Sequence, residues 1–124
     1  MIMKKVVFNF EKLSTYQKAL DFIDEVYELT SNFPKDERYG LASQYKRAAL
    51  SIALNISEGH GDTDKQFNRY LTMAWDSVKE CVSCSTVAKR QQFITEQEDN
   101  ITRVKLEELA KMINGLRKHT KRNQ

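Results

Sequence analysis

A chain of 124 residues with one proline, four glycines, two cysteines and 30% charged residues describes a single compact helical domain. That composition excludes a disulfide scaffold and a low-complexity fibre, and no apolar run approaches the eighteen or so residues of a membrane-spanning helix. Net charge is +3 but unevenly placed: residues 1–64 carry eight Lys/Arg and ten Asp/Glu, residues 65–124 twelve and seven. Met1 to Phe10 contains Lys4 and Lys5 but no signal-peptide core, so a cytoplasmic location is expected.

In chain order, Val6, Phe8 and Phe10 alternate with other residues and predict a short extended lead-in laid over the rest. Ser14-Thr15-Tyr16-Gln17 has the form of a capping box, and helical spacing from Tyr16 to Thr30 predicts helix one over 14–33, stopped at Phe33-Pro34. Asp36 and Glu37 favour the positive start of helix two, predicted over 38–58 and broken by Gly59-His60-Gly61. Thr63-Asp64-Lys65-Gln66 opens helix three, 64–91, whose line is Phe67, Leu71, Ala74, Val78, Cys81, Ser85 and Ala88. Thr95-Glu96-Gln97-Glu98 opens helix four, 96–119, carried by Ile101, Val104, Leu109, Met112, Ile113 and Leu116. Short connections make neighbours antiparallel, so residues 1–124 predict one all-α, up-down four-helix bundle.

Helix two is the organising element. Leu41, Tyr45, Ala48, Ile52 and Ile56 make one apolar stripe, while Ala49, Leu50, Ala53 and Leu54 lie outside it, so the helix needs cover on most sides. Leu50 and Leu54 are therefore candidate contacts between copies of the chain, and Trp75 of helix three, one step off its core line, is either a core residue or a further such contact. A second stripe is polar: Gln44, Arg47, Ser51, Asn55 and Glu58. Antiparallel register about Gly61 places Arg47 level with Asp76 and Gln44 near Glu80, which predicts a seam in which Arg47 pairs with Asp76 or Glu80 and fixes helix register.

Enzymatic chemistry finds little support. Cys81 and Cys84 satisfy Cys-x-x-Cys, but in mid-helix, without the helix N-terminus that lowers a thiol pKa, and with only His60 and His119 as further soft ligands. Two packed, reduced thiols are the reading, and no cofactor or metal is expected. No Ser-His-Asp order, HExxH or phosphate loop is present. Cations remain: Lys89, Arg90, Arg103, Lys111, Arg117, Lys118, Lys121 and Arg122, with no acid beyond Glu108. They complement helix dipoles, and repeated on an oligomer they would offer enough phosphate contacts to hold nucleic acid by its backbone.

Phe10-Glu-Lys-Leu, Phe33-Pro-Lys, Glu37-Arg-Tyr-Gly-Leu-Ala-Ser-Gln44, Arg47-Ala-Ala, Asn55-Ile-Ser-Glu-Gly59 and Asn114-Gly115-Leu116 resemble the four-helix bundle proteins encoded in 23S rRNA intervening sequences. A similar bundle occurs in the accessory protein of diversity-generating retroelements. The resemblance implies a homopentameric ring with a basic surface, associated with RNA or with a reverse transcriptase. The chain departs from the family pattern at Ala53, where proline is frequent, at Asp62 and Asp64 after the glycine turn, and at Cys81-Val-Ser-Cys84. The expected function is that of a non-enzymatic RNA-associated oligomer. The alternative is a protein-binding scaffold or accessory subunit that touches no nucleic acid.

Overall fold

The computed structural model describes residues 3–122. It is an all-α, antiparallel four-helix bundle made of α1 (Ser14–Thr30), α2 (Leu41–Gly59), α3 (Asp64–Arg90) and α4 (Glu96–Arg122). Short 3-10 turns at Asn9–Lys12 and Lys35–Glu37 precede α1 and α2. Successive helices pack side by side, and α2 packs most extensively on α3. α1 and α4 close the bundle along a looser seam, bridged by ion pairs from Lys18 to Glu108 (2.7 Å) and from Lys105 to Glu25.

The core runs through the bundle from Phe22 and Val26 of α1 to Leu106, Leu109 and Ile113 of α4. α2 contributes Tyr45, Ile52 and Ile56, all fully enclosed, together with Ala42, Ala48, Ala49 and Ala53. Those alanines let the α2 backbone approach its neighbours closely, and α2 continues unbroken through Ala53. Gly59 serves the same end: a Cβ there would lie 2.7 Å from Cβ of Tyr70, so α2 and α3 cross closely because that position has no side chain. Gly61, at φ +87, then turns the chain in a conformation that L side chains rarely adopt.

Helix ends differ from the sequence expectation where other groups take over the capping. Ser14 does not cap α1. The preceding 3-10 turn makes Leu13 the N-cap, and Gln17 Nε2 donates to the Glu11 carbonyl rather than reaching back to Ser14. At the other end α1 stops at Thr30, three residues early, where Thr30 Oγ1 donates to the Val26 carbonyl. The chain then tightens through Asn32 and Phe33, whose ring packs 5.5 Å from that of Phe93. α2 begins at Leu41, three residues later than expected, and the Glu37 carboxylate accepts from the Leu41 N–H at 3.1 Å. α3 receives half of its box, Gln66 N–H to Thr63 Oγ1 at 3.2 Å. α4 receives both halves, Glu98 N–H to Thr95 Oγ1 and Thr95 N–H to Glu98 Oε1.

Two further expectations are corrected. The lead-in from Met3 to Phe8 is not laid over the core: Val6 is 76% exposed and Phe8 62%. On α4, Ile101 and Val104 face solvent, and the buried line is Asp99, Thr102, Leu106, Leu109 and Ile113. Leu109 and Ile113 are in the core as expected, but apolar identity puts Ile101 and Val104 on the wrong side, where Asp99 and Thr102 are buried instead.

Candidate interaction surfaces

The α2–α3 polar seam forms without its arginine. Gln44 Nε2 donates to Glu80 Oε2 at 2.6 Å, Ser77 Oγ donates to Ser51 Oγ at 2.9 Å, and Asn55 Nδ2 donates to the Ser51 carbonyl and Oγ at 2.8 and 3.0 Å. Arg47 pairs with neither Asp76 nor Glu80. Its exposed side chain lines a hollow beside the seam with Gln44, Ser51 and Glu80, while Asp76 binds Lys79 on its own helix at 3.2 Å. Glu58 is likewise exposed, and its side chain makes no hydrogen bond or ion pair among the described residues. Arg47, Glu58 and Asp76 are exposed to water, where an ion pair contributes little, and the register is set by the hydroxyl and amide groups together with the Glu80 carboxylate that accepts from Gln44. Ser77 belongs to this seam although periodicity alone assigned it no role.

A second polar network crosses from α3 to α4. Ser85, fully buried, donates to Asp99 Oδ1 at 2.6 Å, Arg103 Nε donates to Asp99 Oδ2 at 2.9 Å, and Arg103 also reaches Thr86. Burial pushes the Asp99 carboxyl up, but the hydrogen bonds from Ser85 and Arg103 and the charges of Arg103 and Lys89 outweigh it and hold the acid below its ordinary value. Nearby, the Tyr45 hydroxyl is buried without a hydrogen bond. Ser85 and Thr102 lie close enough to bias its titration, but burial dominates and pushes the phenol up. Burial also raises the Cys81 thiol, and burial with the Glu80 charge pushes Cys84 up to about 11. Both cysteines are uncombined and protonated at neutral pH, a state poor in nucleophilicity and in metal affinity. Among the described residues no cluster of three His, Cys, Asp or Glu is placed to hold a metal ion, and no helix is long and apolar enough to cross a membrane.

The outer faces carry the apolar and charged groups that could meet a partner. Leu50 and Leu54 stand 40% and 51% exposed on the outward side of α2, and the exposed Tyr27 of α1 lies under Lys46, which is one turn before Leu50 and whose ammonium is 5.1 Å from the ring centroid. Trp75 does not join this surface. It is half-buried in a groove between α3 and α4, walled by Val82, Leu106 and Ala110, with Lys79 over its ring, and α4 lies diagonally across the bundle from α2. The predicted contact trio is therefore divided between two faces.

The eight predicted cations are divided as well. Lys89 pairs with Glu96 at 3.5 Å and Arg103 with Asp99, and with Arg90 they occupy the end where α3 finishes and α4 begins. Arg117, Lys118, Lys121 and Arg122 lie at the opposite end, about 40 Å away by the rise of a 27-residue helix. Lys111 stands between, paired with Glu107 on its own helix at 3.6 Å. Thr120 Oγ1 meets Asn68 Oδ1 at 3.3 Å and so joins the last turn of α4 to the first turns of α3, bringing Lys65 and Arg69 alongside. A plane through Leu20, Ile52, Trp75 and Leu109 leaves nine Lys/Arg and four Asp/Glu on this side, and nine and thirteen on the other. The two halves thus carry +5 and −4, with Lys4 and Lys5 of the lead-in still to be added to the positive total.

A structure of similar fold is that of a protein from the S23 ribosomal protein family of Bacteroides thetaiotaomicron VPI-5482. It has a TM-score of 0.77 and 20% sequence identity, and the match covers 84% of this chain and 98% of that one. No curated protein matches the sequence. The family model described as 23S rRNA-intervening sequence protein matches residues 11–115. With most of its length inside that match, the chain belongs to the 23S rRNA-intervening sequence protein family.

Proposed function

We propose that this protein is a non-enzymatic, cytoplasmic helical bundle that self-associates, as a ring of about five copies, and binds structured RNA through the positive end of the bundle. The observation that carries the reading is the separation of charge along the bundle, +5 against −4, with Lys118, Lys121 and Arg122 making no ion pair among the described residues. A few cations on one subunit make a poor phosphate ligand. The same cluster displayed by several copies on one side of an assembly reaches the six to ten or so contacts that give strong, salt-dependent binding. No aromatic side chains interleave with these cations, so backbone and shape would be recognised rather than base sequence. The exposed Leu50, Leu54 and Tyr27 supply apolar surface for the association.

Titration of a structured RNA at several salt concentrations tests this reading. Affinity is expected to fall steeply with salt, and Lys118→Gln, Lys121→Gln and Arg122→Gln together should flatten the slope by about one per lost contact. Lys89→Gln and Arg90→Gln at the opposite end should leave it unchanged. Absence of binding at low salt would reject RNA recognition and favour a scaffold that binds another protein, such as a reverse transcriptase.

A further inference from the structure

The seam between α1 and α4 is the loosest of the packings between adjacent helices. Two hollows of about 160 and 220 Å³ lie end to end along it, sharing Glu25 and Lys105. The upper one is lined by Leu29 and by Ile101, which is 47% exposed. Asp21, Glu28 and Glu98 add negative charge along the seam beyond what Lys18 and Lys105 neutralise, and Glu28 makes no ion pair among the described residues. Apolar ground at Leu29 and Ile101 within a seam of excess acid suits an extended segment that is both apolar and basic.

The chain contains such a segment. Met3-Lys4-Lys5-Val6-Val7-Phe8 is exposed along its whole length, and two-residue alternation puts Val6 and Phe8 on one side of an extended strand. Extended, six residues span about 20 Å. The seam from Lys18 to Leu29 spans about 17 Å of helix. A chain's own lead-in is directed away from its own seam. Phe8 packs on Phe10 and Phe10 on Tyr16, at 6.1 and 5.1 Å between ring centroids, and the 3-10 turn touches α1 and α2. Tyr16 and Lys18 are two residues apart, a rotation of about 200° on the helix, so the lead-in leaves on the side of α1 opposite to the seam.

From this juxtaposition we infer that the lead-in Met3–Phe8 of one copy docks into the α1–α4 seam of a second copy, Lys4 and Lys5 meeting its acids and Val6 and Phe8 its apolar floor. Segment and seam lie on opposite flanks of α1, so each copy gives one contact and receives one, the head-to-tail arrangement that closes into a ring when the rotation allows. The inference rests on the self-association proposed above and names the segment that makes it.

The test uses the full chain. Val6→Cys and Ile101→Cys are prepared in separate chains, mixed in equal amounts and mildly oxidised. Buried Cys81 and Cys84 provide the background, since neither single variant should link to wild type. A disulfide-linked pair joining position 6 of one chain to position 101 of another is expected. Lys4→Glu with Lys5→Glu should weaken self-association at least tenfold, and adding Asp21→Lys with Glu28→Lys should restore it. A double variant, Val6→Cys with Ile101→Cys, that closes within one chain, or no linked pair in the mixture and undiminished association after removal of residues 1–8, overturns the inference while leaving self-association intact. A wild-type protein that stays a single 14.5 kDa particle overturns both.

Discussion

Ile52→Ala is expected to lower the free energy of unfolding by about 3–4 kcal/mol, in the upper part of the range for removing a large core side chain. Ile52 is fully enclosed at mid-length of α2, and its neighbours along that helix are Ala48, Ala49 and Ala53. Alanine has no rotamer with which to fill a void, and the close backbone approach that these alanines allow leaves little room to collapse further. The cavity should therefore persist. Leu50→Ala, two residues away but on the outer face, should cost less than about 1 kcal/mol within a single subunit. Denaturant unfolding of both variants checks the contrast. Similar midpoint shifts for the two would mean that the inward and outward faces of α2 have been assigned wrongly.

Asp99→Ala should cost about 2–4 kcal/mol at neutral pH, because it removes two charge-assisted hydrogen bonds and leaves the buried Ser85 hydroxyl without its acceptor. The pH dependence carries a definite sign. The folded-state acid titrates below the ordinary 3.8, so its stabilisation is fully present above that value and is lost as pH falls through the lower folded one. Asn at this position imitates the protonated acid. The stability gap between wild type and Asp99→Asn should stay constant from neutral pH down to about pH 4 and shrink below it. Unfolding measured from pH 7 to pH 2 decides the matter, and a gap indifferent to acid would show that Asp99 is not held ionised by Ser85 and Arg103.

Much of the fold was legible in the sequence because four amphipathic periods, two turn glycines and one proline act locally. The line from Leu71 to Ala88 on α3 is the buried line of the structure, apart from the half-buried Phe67 before it. Ends were less legible where a distant group replaced the expected cap, as Gln17 and Glu11 do before α1. On α4, counting apolar residues favoured Ile101 and Val104, whereas the spacing of Asp99, Thr102, Leu106, Leu109 and Ile113 already marked the core side. Asp99 belongs to that side because it is satisfied there by Ser85, 14 residues away on another helix.

The surfaces show the same division. Register arithmetic placed Gln44 opposite Glu80, which depends on chain direction alone. It brought Arg47 to the same hollow as Glu80 but could not decide the ion pair, which depends on how a long exposed side chain is turned and not on chain direction. Grouping the cations by their position late in the chain joined Lys89 and Arg90 to Lys118, Lys121 and Arg122, although an antiparallel pair of helices puts these at opposite ends. Neither the α1–α4 seam nor its surplus of acid could be read beforehand, because both arise from the separation of two helices distant in sequence.

The claim on which both proposals depend is that copies of this chain associate, the exposed Leu50 and Leu54 of α2 supplying apolar surface for it. Light scattering coupled to size exclusion, at several protein concentrations, measures this most directly. The account predicts a mass several times 14.5 kDa that drops toward one subunit when Leu50 and Leu54 are both replaced by lysine. A wild-type protein that elutes at 14.5 kDa at every concentration would contradict it.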